Sequence, residues 1–113
     1  MMKYKIVIAD TARADLISIV DGISELIGEI DGALEFIDKL KRHCEMLEDF
    51  PYGGCVPSDE EIAARGFRFL IYGTYLIFYT VAEDKGEVRI ISVFNSKRDY
   101  TLVLKEYSER LKE

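Results

Sequence analysis

Three short aromatic and β-branched runs, at residues 67–71, 75–81 and 88–94, lie close together in the second half of this chain. Gly73 separates the first two, and the turn-forming Asp84-Lys85-Gly86 separates the last two. Runs of this kind cut by glycine and aspartate predict an antiparallel meander. The middle run is apolar at nearly every position, so it is expected to be a central strand covered on both faces. A basic-acidic-aromatic stretch, Lys97-Arg98-Asp99-Tyr100, follows the last run.

The residues before the meander repeat at a different period. Residues 3–9 read as a strand, and Asp10 or Thr11 is placed to cap a helix after it. Ala12, Leu16, Ile19, Val20, Ile23 and Ile27 then form one apolar stripe in steps of three and four. A second stripe runs through Leu34, Ile37, Leu40, Cys44 and Leu47. Gly28 and Gly32 stand between the two, and the helix break is expected there, because glycine weakens a helix interior by about 1 kcal/mol relative to alanine. The result is an αα-hairpin. Residues 49–65 hold both prolines and read as a connection, with Ser58 and Glu61 spaced for a capping box on one helical turn over 59–64. A last helix is expected beyond Asp99, with Tyr100, Val103, Leu104, Tyr107 and Leu111 at helical spacing.

The order is β-α-α-β-β-β-α. It predicts an α+β fold in which a twisted, mostly antiparallel four-stranded sheet packs on an N-terminal helical hairpin, with a C-terminal helix. A length of 113 residues suits one domain, 1–113, with a single core. No apolar run approaches the ~20 residues that span a bilayer, and the N-terminus lacks a signal-peptide pattern, so a cytoplasmic location is expected. The cysteines, Cys44 and Cys55, read as one helix residue and one loop residue, both reduced. With the single His43 on an exposed helix face, they give no zinc-ligand spacing, and no cofactor is expected.

The net charge of −6 is unevenly spread. Residues 10–61 carry 14 Asp/Glu against 4 Lys/Arg, whereas residues 62–113 carry 7 against 9. A global basic field for nucleic acid is therefore absent, which leaves a local cationic site on the sheet half.

Several features in this order resemble the RelE/ParE superfamily of bacterial toxins. The first strand leads into Asp10-Thr11-Ala12-Arg13-Ala14-Asp15-Leu16, similar to the start of the family's first helix. Leu, Pro and Gly punctuate residues 47–54, and Gly66-Phe67-Arg68 is similar to the start of the family's second strand. Gly73-Thr74-Tyr75-Leu76-Ile77-Phe78-Tyr79 resembles its tyrosine-rich third strand, and Val93 through Tyr100 resembles its last strand and the basic run beyond.

The resemblance implies one half of a toxin–antitoxin, or plasmid stabilisation, pair. The partner would be a cognate antitoxin. Independently of the resemblance, a sheet this aromatic on a small domain is expected to leave a hydrophobic groove for a partner helix or strand, open to self-association when the partner is missing. The resemblance also implies one of two targets. ParE-like members block DNA gyrase by binding it, and RelE-like members cut mRNA on the ribosome.

RNA cleavage needs a stabilised phosphate and a proton donor, and arginine suits the first because it stays charged and bonds two oxygens. In a RelE-like reading the catalytic candidates are Arg68, Lys97, Arg98 and Tyr100, with Arg89 as a further cation on the last strand. RelE-like nucleases carry an arginine just after the aromatic residue of the third strand, where this chain has Leu76 after Tyr75. Leucine cannot stabilise an anion, so the resemblance favours the ParE-like, non-enzymatic inhibitor. A third reading keeps antitoxin binding without toxicity, as a degraded family member.

Overall fold

A computed structural model describes residues 3–97 and Leu104. Strand β1 (Lys5–Ile8) leads into helix α1 (Asp10–Ile27), and α2 (Ile30–Cys44) returns beside it and ends in a 3-10 turn, Glu45–Glu48. A short α3 (Glu60–Ala64) precedes the meander β2 (Arg68–Tyr72), β3 (Tyr75–Ala82) and β4 (Glu87–Asn95). The sheet order is β1-β4-β3-β2. β1 pairs in parallel with β4, and the other two pairings are antiparallel. The expected α+β architecture is the observed one, with β3 an inner strand.

The sheet separates two cores. On one face the hairpin contributes Ala12, Leu16, Ile37 and Leu40, which pack on Leu70, Ile77, Tyr79, Val88, Ile90 and Val93. On the other face Phe67, Phe78, Ile91, Phe94 and Leu104 gather with Ile62 of α3. Each fully buried aliphatic or aromatic side chain contributes roughly 1.5–3 kcal/mol. Leu104 is helical and 1% exposed in this second core; the remainder of the expected C-terminal helix, Asp99 and Tyr100 included, lies outside the described residues.

One irregularity sets which side chains reach which face. Phe78 pairs with Ser92 but Tyr79 pairs with Ile90, so Ile91 is an extra residue in β4. A bulge of this kind reverses the alternation beyond it. Val88 and Ile90 face the hairpin, and so does Val93, while Ile91 and Phe94 face away. α1 covers the backbone groups that the bulge frees. The Asp15 carboxylate accepts from the Ser92 hydroxyl at 2.9 Å and from the Val93 N–H at 3.0 Å. The Thr11 hydroxyl donates to the Ile91 carbonyl at 2.6 Å. β1 has ended by then: its last bond to β4 comes from the Ala9 N–H to the Ile90 carbonyl.

Two local expectations about caps are corrected, and the helix break is narrowed within the expected stretch. Neither Asp10 nor Thr11 is the α1 N-cap; Ala9 occupies that position without a side-chain bond, and Thr11 is drawn instead to β4. The helix break lies at Gly28, whose φ of 74° forms a left-handed C-cap, whereas Gly32 lies inside α2, where burial of Ala33, Ile37 and Leu40 outweighs its poor propensity. The cap of α3 is Asp59, whose Oδ1 accepts from the Ile62 N–H at 3.1 Å, and not Ser58.

Candidate functional site

Arg68 opens β2, in the register opposite Tyr79. Strand alternation aligns it with Leu70 and Tyr72, on the hairpin face of the sheet. Its Nη1 donates to the carbonyls of Tyr52 at 3.0 Å and Gly54 at 3.2 Å. Its guanidinium lies 5.3 Å from the centre of the Tyr52 ring. Arg68 therefore holds down the irregular connection between α2 and α3. Two more contacts fix the same loop. The Gly54 N–H donates to the Tyr79 hydroxyl at 2.9 Å, and the Cys55 N–H and carbonyl pair with Phe69 of β2. The approach at Gly54 is close enough that a Cβ there would lie 2.5 Å from the Tyr79 hydroxyl and 2.8 Å from the Phe69 carbonyl.

This cluster shifts two tyrosines in the same direction. Burial pushes the Tyr79 hydroxyl above its ordinary value, opposed in part by the Gly54 N–H and by the charge of Arg68. The Tyr52 hydroxyl hydrogen-bonds the Glu83 carboxylate at the surface, and that bond raises it to about 12. Neither group is poised to give up a proton near neutral pH.

Lys97 occupies the other end of the sheet. Asn95 stands opposite Tyr75, and Tyr75 stands opposite Tyr72, whereas Arg68 is level with Tyr79. Four residues of strand, roughly 13 Å, separate the two levels. The structure does not bring Arg68 and Lys97 together. Lys97 is exposed, and its backbone N–H donates to the Asn95 side chain at 3.0 Å. Arg98 and Tyr100 lie outside the described residues. Arg89 lies on the face away from the hairpin and pairs with Glu87 at 3.3 Å.

Leu76 sits on that face too, opposite Ile71 of β2 and Phe94 of β4. It packs against the aromatic core. There Phe78 stacks on Phe94 at 5.4 Å with the planes 7° apart, and Phe69 and Phe67 lie at 5.1 and 6.5 Å from Phe78. The position at which a RelE-like nuclease would carry its strand arginine is thus part of an apolar surface. Among the described residues, no group of three or more His, Cys, Asp or Glu is arranged to hold a metal ion, and no helix is long and apolar enough to cross a membrane.

Asp15 was not singled out from the sequence, and Thr11 was read only as a candidate helix cap. The signal was available for Asp15. It stands three residues after Ala12 and four before Ile19, a polar group inside an apolar stripe.

Comparison with known proteins returns the same fold. The family described as the ParE toxin of the type II toxin–antitoxin system, parDE, matches residues 6–100. A chain from the chromosomal ParDE toxin–antitoxin system of P. aeruginosa superposes with a TM-score of 0.67 at 22% identity, covering 82% of this chain and 96% of that one. A chain of the RelBE2 toxin–antitoxin complex of Mycobacterium tuberculosis gives a TM-score of 0.54 at 22% identity, with 84% and 93% covered. Curated protein sequences give no match.

Proposed function

Because the chain belongs to the ParE toxin family of type II toxin–antitoxin systems, we propose that it arrests growth by binding a protein target, DNA gyrase, and that a cognate antitoxin neutralises it in the cytoplasm. The observation that carries this reading is Leu76. It is built into the aromatic face of the sheet, against Phe94 and Ile71, and supplies no cation for a phosphate. The engagement of Arg68 supports the same conclusion, since its Nη1 already bonds two loop carbonyls. An inhibitor that acts by occupying a surface needs no general acid and no activated nucleophile.

A RelE-like mechanism would draw instead on Lys97, Arg98 and Tyr100, with Arg68 released from its loop. Induction of the chain in a bacterial culture, alone and with the neighbouring open reading frame, tests the pair. Arrest relieved by the neighbour is expected. Arg98→Ala is expected to leave the arrest in place. Its loss, together with codon-positioned mRNA cuts on ribosomes, would establish the nuclease. Normal growth despite folded, abundant protein would leave only antitoxin binding.

A further inference from the structure

The helical half is strongly acidic, with only four Lys/Arg among residues 10–61: Arg13, Lys39, Lys41 and Arg42. Two of them are neutralised on their own helix, Lys39 by Glu35 at 3.2 Å and Arg42 by Asp38 at 3.0 Å. Among the described residues, Arg13 and Lys41 make no ion pair. Both line the same groove. A hollow of about 380 Å³ lies between β1 and α2, and another of about 400 Å³ lies between α1 and α2. The two share Ile8, Leu16 and Lys41, so they form one continuous trough along α2. Ile17 and Leu34 line it with 58% and 51% of their surface exposed. An apolar floor with unpaired cations above it is therefore set into a negatively charged half-molecule.

The shape selects a helix over a strand as the occupant. The β1 edge beside the trough is only four residues long, carries the exposed Lys5, and has its Tyr4 N–H already bonded to the Glu48 carbonyl at 2.9 Å. Short, lysine-bearing edges resist strand addition. The α2 wall presents Leu34, Ile37 and Lys41 in helical steps, the pattern into which the ridge of a second helix packs.

We propose that Arg13 and Lys41 are the residues by which this chain selects its antitoxin. An amphipathic antitoxin helix lays its apolar face on Ile17, Leu34 and Ile37, and acidic residues at its border pair with the two cations. Asp21, Glu45 and Glu48 also border the trough and would repel acidic residues placed near them, so the matching acids fall level with Arg13 and Lys41, with Lys5 as a further cation at the β1 end. The proposal rests on the antitoxin partnership and goes beyond it by naming the surface and the charge of what binds there.

Calorimetric titration of the full chain with the product of the neighbouring open reading frame tests it, at low and high salt. Arg13→Glu with Lys41→Glu is expected to weaken binding roughly thirtyfold at low salt and to flatten the salt dependence. Arg13→Lys with Lys41→Arg keeps most of the affinity. Lys85→Glu changes the charge of an exposed residue outside the trough and leaves affinity unchanged. Both trough positions are exposed, and an unchanged circular dichroism spectrum excludes misfolding.

Reciprocal Glu→Lys changes in the antitoxin that restore binding to the doubly reversed chain would complete the support. Tight wild-type binding that the double reversal does not weaken would overturn the proposal while the antitoxin reading stands. No wild-type binding would overturn both. Dimerisation of the free chain that the reversal abolishes, with antitoxin affinity unmoved, would assign the trough to a second copy.

Discussion

The two faces of the sheet are built from the same strands and solve different problems. The hairpin face is mainly aliphatic and is joined to α1 by directed bonds, Thr11 to Ile91 and Asp15 to Ser92 and Val93. The opposite face is an aromatic stack with Phe78 at its centre and Leu76 at its margin. The first arrangement fixes register, because a carboxylate that serves a bulge tolerates no slip of β4. The second gains its stability from contact area and ring geometry, which are less directional. Polar anchoring therefore belongs to the helical side, and the apolar surface to the side where a nuclease would need charge.

The comparison can be broken at several points. The largest effect is expected from Phe78→Ala, which empties the centre of the aromatic face and should cost about 3–5 kcal/mol in urea denaturation. A loss under 1 kcal/mol would mean that the stack is not the core of that face. Asp15→Ala leaves the Val93 N–H and Ser92 hydroxyl without their acceptor, and a loss of about 1–3 kcal/mol is expected. Hydrogen exchange at Val93 should accelerate in the same variant, and exchange at the wild-type rate would show that the bulge is held by something else.

Much of this was legible in the residues. The apolar continuity of 75–81 announced an inner strand with both faces covered, and the two apolar stripes announced the hairpin. The bulge was not legible as such: Val88-Arg89-Ile90 and Ile91-Ser92-Val93 each alternate, with a shift of phase at Ile90/Ile91, but two adjacent apolar residues equally fit a strand buried on both faces. The Arg68 clamp was not legible either. Its acceptors are backbone carbonyls of a loop, and carbonyls leave no trace in a sequence. Arg68 read as a cation available for phosphate for that reason. Leu76 was legible as a departure from the nuclease pattern, and the structure adds what it packs against.

Smaller effects sharpen the contrast further. Arg68→Ala removes the bonds to Tyr52 and Gly54, for which a loss of about 1 kcal/mol is expected, with faster proteolysis across residues 50–56. Resistance to cleavage equal to the wild type would remove Arg68 from its role as a clamp. The smallest effect concerns alkaline pH. The folded-state value of Tyr79 is raised, so the stability it contributes is fully present below the ordinary tyrosine value of about 10 and is lost as pH rises through the folded value. Ultraviolet titration should show Tyr79 ionising later than an exposed tyrosine, and later still in Arg68→Ala, since the arginine charge lowers its value. Earlier ionisation in that variant would contradict the assigned geometry.

The assignment as a binding inhibitor without chemistry of its own is tested most directly with purified components. Supercoiling of relaxed plasmid by DNA gyrase should be inhibited by micromolar amounts of this chain and recover when antitoxin is added. Unchanged supercoiling, with ribosome-dependent cleavage of mRNA by the same preparation, would contradict the account.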